Sequence, residues 1–122
     1  MLYIFGGFSG TFWLNDLVTM NLLTLTWSKP KVMGDIPSAR EGHAMVAQGN
    51  YLYMHGGWEG TTISTMYRFD TKTMIWKRLN LHGPALCGHS ITLVRDKLFI
   101  FGGFDSVNWV NTLYVYINGE WT

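Results

Sequence analysis

The sequence predicts an all-β protein built from a repeated antiparallel unit of four strands, and three observations carry that expectation. An apolar run ending on two adjacent glycines occurs three times: LYIFGG at residues 2–7, YLYMHGG at 51–57 and KLFIFGG at 97–103. The first glycines of the pairs, Gly6, Gly56 and Gly102, are 50 and 46 residues apart. A period of that size means that one supersecondary unit is repeated and packed against itself. Other features keep step with the glycines. His43 and His89, each preceded by glycine, stand thirteen residues before Gly56 and Gly102, and Trp27, Trp76 and Trp121 follow the first glycines by 21, 20 and 19 residues. The residue after each pair is aromatic (Phe8, Trp58, Phe104), and a large apolar residue (Trp13, Ile63, Trp109) lies seven positions beyond each first glycine.

Each element follows from local pattern. Residues 2–5 are too few for a helix and end at Gly6 and Gly7, so they form a strand buried on both faces. Paired glycine at a strand end marks a sharp exit where other backbone packs close. A loop over 8–14, strands over 15–21 and 23–28, and a polar connection over 29–41 complete the first unit. In the second unit the strands are expected over 42–48, 51–55, 64–69 and 74–79, with Gly49 and Asn50 as a two-residue hairpin and Asp70 closing a turn through its side chain. The third repeats the plan over 88–94, 98–101 and 111–117. Asn118 and Gly119 are the strongest hairpin signal in the chain, and a fourth strand begins at Glu120 and Trp121.

Composition excludes several classes. The 122 residues are 48% hydrophobic and 16% aromatic, ample for a packed core and unlike a disordered chain. Net charge is +1 with 14% charged residues and no long basic or acidic run, so neither a nucleic-acid nor a membrane surface is expected. Cys87 has no mate, and there is no N-x-S/T site, signal peptide or run of spanning length, so a reducing, cytoplasmic setting is the expectation.

A strand opened by Gly-His, an apolar strand ending in Gly-Gly, a third strand carrying an aromatic residue and a fourth carrying tryptophan resemble the kelch repeat, one four-stranded propeller blade. The resemblance covers essentially the whole chain. It rests on Gly42, His43, Gly56, Gly57, Tyr67 and Trp76 in the middle unit, on Gly88, His89, Gly102, Gly103, Tyr114 and Trp121 in the third, and on Gly6, Gly7 and Trp27 in the first. Arg40 departs to Leu86 in the third unit, Val18 replaces the tyrosine in the first, and the Trp-Asp signature of WD40 repeats is absent. The resemblance implies a kelch-type β-propeller fragment. Residues 1–29 would be a partial blade of three strands, 42–79 a complete blade, and 88–122 a blade truncated in its fourth strand. Closed propellers need at least about four blades, so about two and a half blades require the remaining blades of a longer chain, or self-association, to close the ring.

Candidate chemistry is sparse. His43 and His89 recur at equivalent places, which fits a structural hydrogen bond to a nearby carbonyl better than a metal site. No H-E-x-x-H, paired cysteines or carboxylate cluster accompanies them, so no metal or cofactor is expected. The recurring glycines lack a following G-K-S/T, and Cys87 near His89 is no dyad by itself. Residues that recur are explained by packing, which assigns Phe8, Trp58 and Phe104 to contacts between blades. Recognition is sought where the repeats disagree on loops. That selects Arg40, Glu41, Glu59, Thr61, Asp105 and Asn108 as contacts to a partner protein or peptide, because in kelch proteins these loops share one rim. Arg40 is the leading contact, as a guanidinium grips carboxylates in a bidentate manner, against a surface salt bridge to Glu41 or Asp35. The expected function is a non-catalytic protein-interaction module, with substrate recognition for a larger complex as one form of it. The alternative is part of a kelch-propeller enzyme such as a copper oxidase of the galactose oxidase type, whose site motifs the chain does not match.

Overall fold

The computed structural model describes residues 1–122 and contains three sheets and no helix. The first sheet is β1 (Leu2–Phe8), β2 (Trp13–Asn21) and β3 (Thr26–Ser28), paired in chain order. β4 (Met33–Gly34) lies in the connection that follows. It joins the outer edge of the second sheet, made of β5 (Ala44–Gln48), β6 (Tyr51–His55), β7 (Thr65–Asp70) and β8 (Ile75–His82), in the order β4-β8-β7-β6-β5. The third sheet is β9 (Ser90–Val94), β10 (Lys97–Phe101), β11 (Leu113–Ile117) and β12 (Glu120–Trp121), in the order β12-β11-β10-β9. All pairings are antiparallel except β4 with β8. The inner strands β5 and β9 run beside each other, and Gly88 N–H donates to Gly42 O at 2.8 Å where the two begin.

Several elements differ from their expected places, each for a local reason. Residues 22–25 are a turn and not the start of a strand, because the Asn21 carboxamide accepts from the Leu23 and Thr24 amides at 2.9 and 3.2 Å. Asp70 caps the matching turn through Lys72 and Thr73 at 2.9 and 3.4 Å, and Leu25 and Met74 close the two turns at φ 58° and 60°. Asn118 and Gly119, both at positive φ, make the shorter two-residue hairpin expected of Asn-Gly. β1 continues through Gly6 and Gly7 to Phe8 by way of a bulge after Phe5. β4 went unforeseen: Met33 N–H and Asp35 N–H bond Met74 O and Trp76 O at 3.0 and 2.9 Å.

Alternation sorts the middle sheet's side chains to two cores. Leu52, Met54, Tyr67, Phe69 and Trp76 pack with Phe5 and Leu17 of the first sheet. On the other face Met66 packs with Leu86, Ile91, Leu98 and Ile100, flanked by Leu79, Leu81, Tyr114 and Trp121. Trp76, 1% exposed, sets its indole 5.2 Å from the Phe5 ring and 4.8 Å from that of Phe69. The tryptophan of each later unit thus packs toward the sheet before it, and Trp27, at the equivalent place on the first sheet, is 54% exposed.

The glycine pairs are the joints between sheets. All six glycines have positive φ, from 66° at Gly6 to 118° at Gly57. The chain entering the next unit lies across them: Gly7 N–H donates to Arg40 O and Gly57 N–H to Leu86 O, both at 2.8 Å. A Cβ on Gly56 would stand 2.5 Å from Leu86 O and 2.6 Å from the His89 ring, and one on Gly103 would stand 2.7 Å from Cys87 O.

Beneath this joint His89 Nε2 and His55 Nδ1 share a hydrogen bond of 2.9 Å, with His55 fully buried. His89 thus bonds a second imidazole besides the backbone of His55, and His43, bonded to the backbone of Phe5, packs its ring on that of Phe5 at 5.5 Å. Burial, then the charge of His89, pushes His55 down to about 3. Burial, partly offset by a backbone bond of His55, pushes His89 down to about 4.

Two outcomes follow for the intact protein. Gly60, at φ 102° with open space around it, loses about 1–2 kcal/mol on mutation to Ala from backbone strain alone, whereas Gly56→Ala adds a clash of about 1–3 kcal/mol; denaturant midpoints order the two. His55 and His89 are neutral in the fold, as is His43, which burial also pushes down, so the unfolded chain binds more protons below its imidazole pKa near 6.5. Stability is full above about pH 6.5 and falls by up to about 1.4 kcal/mol per pH unit per imidazole as the pH drops, levelling at the folded values. Unfolding between pH 7 and 4 tests this: His55→Gln/His89→Gln reduces the dependence and leaves the share contributed by His43.

Candidate functional site

Two sets of loops meet on one rim: those leaving the glycine pairs and the connections that enter β5 and β9. Each connection docks through two backbone bonds. Glu41 N–H donates to Trp58 O at 3.1 Å and Trp58 N–H to Glu41 O at 2.7 Å, and Cys87 and Phe104 repeat the exchange at 3.1 and 2.8 Å. The residue after each glycine pair is thereby held opposite the residue after Arg40 or Leu86, so both units present an aromatic ring at the same height. Trp58 and Phe104 lie 6.4 Å apart between centroids, and Phe104 and Trp109 5.3 Å apart. With Glu41, Cys87 and two glycines they line an open cavity of about 480 Å³ between the second and third sheets. Phe8 and Trp13 make the corresponding aromatic pair on the first sheet, at 5.6 Å.

Recurrence alone assigns Trp58 and Phe104 to packing. They do touch across the joint, yet both also face the cavity, and Trp109 is 75% exposed. Glu41 lines the cavity, and its carboxylate is in no ion pair; the chain's one salt bridge is Lys29 to Asp16 at 3.0 Å. Burial, and then the Glu41 charge, pushes the Cys87 thiol up. Glu59 accepts from Ser38 Oγ at 2.8 Å, and Thr61 is exposed at the tip of the same loop, its carbonyl taking the Glu59 amide at 3.1 Å. Asp105 accepts from the Val107 and Asn108 amides at 2.9 and 2.7 Å, which hold its carboxyl below the usual range and keep Asn108 at the exposed end of that loop. Thr62 and Ser106 tie the two loops together through their hydroxyls at 2.6 Å.

Arg40 is placed otherwise than a surface contact or a surface salt bridge would be. It is 1% exposed, and its guanidinium donates to Ser38 O at 3.1 Å, Gly56 O at 3.0 Å and Ser38 Oγ at 3.0 Å, over the Tyr67 ring at 5.4 Å. Burial lowers its pKa. Leu86 fills the matching position in the next unit, also 1% exposed. No three His, Cys, Asp or Glu side chains come together as a metal site would require.

Comparison with known proteins adds the relationship. Residues 1–103 match the family model described as the KLHDC2/KLHL20/DRC7 Kelch-repeats domain, and residues 85–122 match the Kelch motif. The chain is similar to Rho GTPase-activating protein gacHH of Dictyostelium discoideum, 34% identical over 86% of this chain and 8% of that protein. It is also similar to Kelch domain-containing protein 3 of Rattus norvegicus, 34% identical over 73% of this chain and 25% of that one. Host cell factor of Drosophila melanogaster is 31% identical over 85% of this chain and 8% of its own length. The chain thus spans a quarter or less of the length of these relatives. Repeated glycine joints, the tryptophan of each later unit packed on the sheet before it and a family match over most of the residues agree: the chain belongs to the kelch-repeat family.

Proposed function

We propose that this chain is a protein-interaction module that recognises a partner through the rim carrying the glycine-pair loops and the connections between sheets, without catalysis. Kelch-repeat relatives support an interaction module as the general role. The observation that carries the finer reading is the aromatic cavity at the joint of the second and third sheets. Exposed tryptophan is unfavourable in water and valuable in an interface, where its large surface is desolvated. Here Trp109 and its neighbours are held on loops pinned by paired backbone bonds, so little ordering entropy opposes binding. Glu41 and Trp58 supply the wall, Glu59 and Thr61 one lip, and Asp105 and Asn108 the other. Arg40 acts beneath them as a brace.

Affinity capture with the intact protein, followed by mass spectrometry, tests this. Trp58→Ala/Trp109→Ala is expected to lose partners by tenfold or more, on the scale of about 2 kcal/mol typical of aromatic anchors. Lys72→Ala/Arg95→Ala, in turns at the opposite end of the strands, is expected to retain them. Equal recovery from both variants would sink the rim assignment. Arg40→Ala leaves Gly56 O without its donor and is expected to lower stability by about 1–3 kcal/mol. Thermal unfolding reads that loss, and Arg40→Lys, which cannot reproduce the fork, recovers only part of it.

A further inference from the structure

We infer that the cavity bounded by Glu41, Trp58, Phe104 and Trp109 receives a cationic side chain, arginine or lysine, carried by a segment of the partner protein. The inference rests on the rim reading above and adds the chemistry of what the rim takes. The cavity is lined by three aromatic rings and a single charged group, the Glu41 carboxylate, with no basic side chain among its walls. The floor is kept low by glycine: a Cβ on Gly42 would meet Cys87 Cβ at 3.3 Å, and one on Gly88 would meet the Trp109 ring at 3.4 Å.

Three kinds of occupant can be compared on these walls. An apolar side chain would cover the rings but strip water from the Glu41 carboxylate without giving it a partner, which is costly. An acidic side chain would meet Glu41 inside the cavity and Glu59 and Asp105 on the loops beside it, while the nearby cation Arg40 is buried and engaged with Ser38 and Gly56. A guanidinium or ammonium group satisfies both features at once, lying against the negative faces of the rings and bonding the carboxylate. The rise of the Cys87 thiol, caused first by burial and then by Glu41, agrees with a carboxylate whose field reaches into this wall.

The test uses the intact protein and one immobilised peptide whose central residue is arginine, lysine, norleucine or glutamate. The arginine and lysine peptides are expected to retain the protein at least about tenfold better than the other two, less so at high salt, because a carboxylate and aromatic faces act together. Glu41→Gln, which keeps the shape of the side chain, and Trp109→Ala, at an exposed position, are each expected to remove most of that preference. Norleucine binding as well as arginine, a preference for glutamate, no retention of any peptide, or no effect of Glu41→Gln would overturn the inference. The partners recovered by affinity capture separate the two readings. Loss with Trp58→Ala/Trp109→Ala but not with Glu41→Gln leaves the rim as the site and removes the cation; insensitivity to both variants removes both.

Discussion

Close approach of backbone at the glycine pairs is the constraint on which the arrangement of sheets depends. Gly56 and Gly57 hold positive φ, and the carbonyl of Leu86 sits where a side chain on Gly56 would begin. Gly6 and Gly7 stand in the same relation to Arg40 O. A sheet can therefore pass its chain to the next only where no Cβ intervenes, and that handover sets how near adjacent sheets come. The cores, the His55–His89 pair and the height of the aromatic rim are consequences of this spacing. Hydrophobic burial supplies the driving force, as Phe5, Phe69 and Trp76 show. The glycines decide where that force is spent.

Much of the fold was legible because period-two strands bounded by glycine and Asx turns are local signals. Tyr51–His55 in β6 and the Asn118-Gly119 hairpin fall where pattern and turn chemistry put them. The misses are of two physical kinds. In the first, a side chain caps the backbone and outranks hydrophobic pattern: Asn21 draws residues 22–25 into a turn although Leu22, Leu23 and Leu25 look strand-like, and Leu23 ends 95% exposed. In the second, the partner is remote. β4 exists only because β8, some forty residues on, offers it an edge, and His55 gains its meaning from His89, in the next unit.

The site tests a rule of thumb about repeats. Recurrence marks equivalent placement, which is not the same as burial. Trp58 and Phe104 recur, touch each other and still open onto the cavity, so one residue serves the joint and the rim together. Divergence is equally ambiguous. Arg40 and Leu86 differ in every chemical respect yet occupy matching buried positions, one satisfied by hydrogen bonds and the other by apolar contact. The sequence signal that was available for the cavity was the third aromatic, Trp109, in a loop whose counterpart in the middle unit carries the buried Ile63.

The backward-facing tryptophans give assembly a direction. Trp76 seals its ring against Phe5, laid down seventy residues earlier, and Trp121 reaches the apolar cluster that includes Met66 and Leu86. A ribosome releasing this chain from its amino end would thus deliver each lid after the surface it covers. Growth resembles shingling a roof, every course overlapping the last, with the newest margin bare as synthesis proceeds and the first course bare at Trp27.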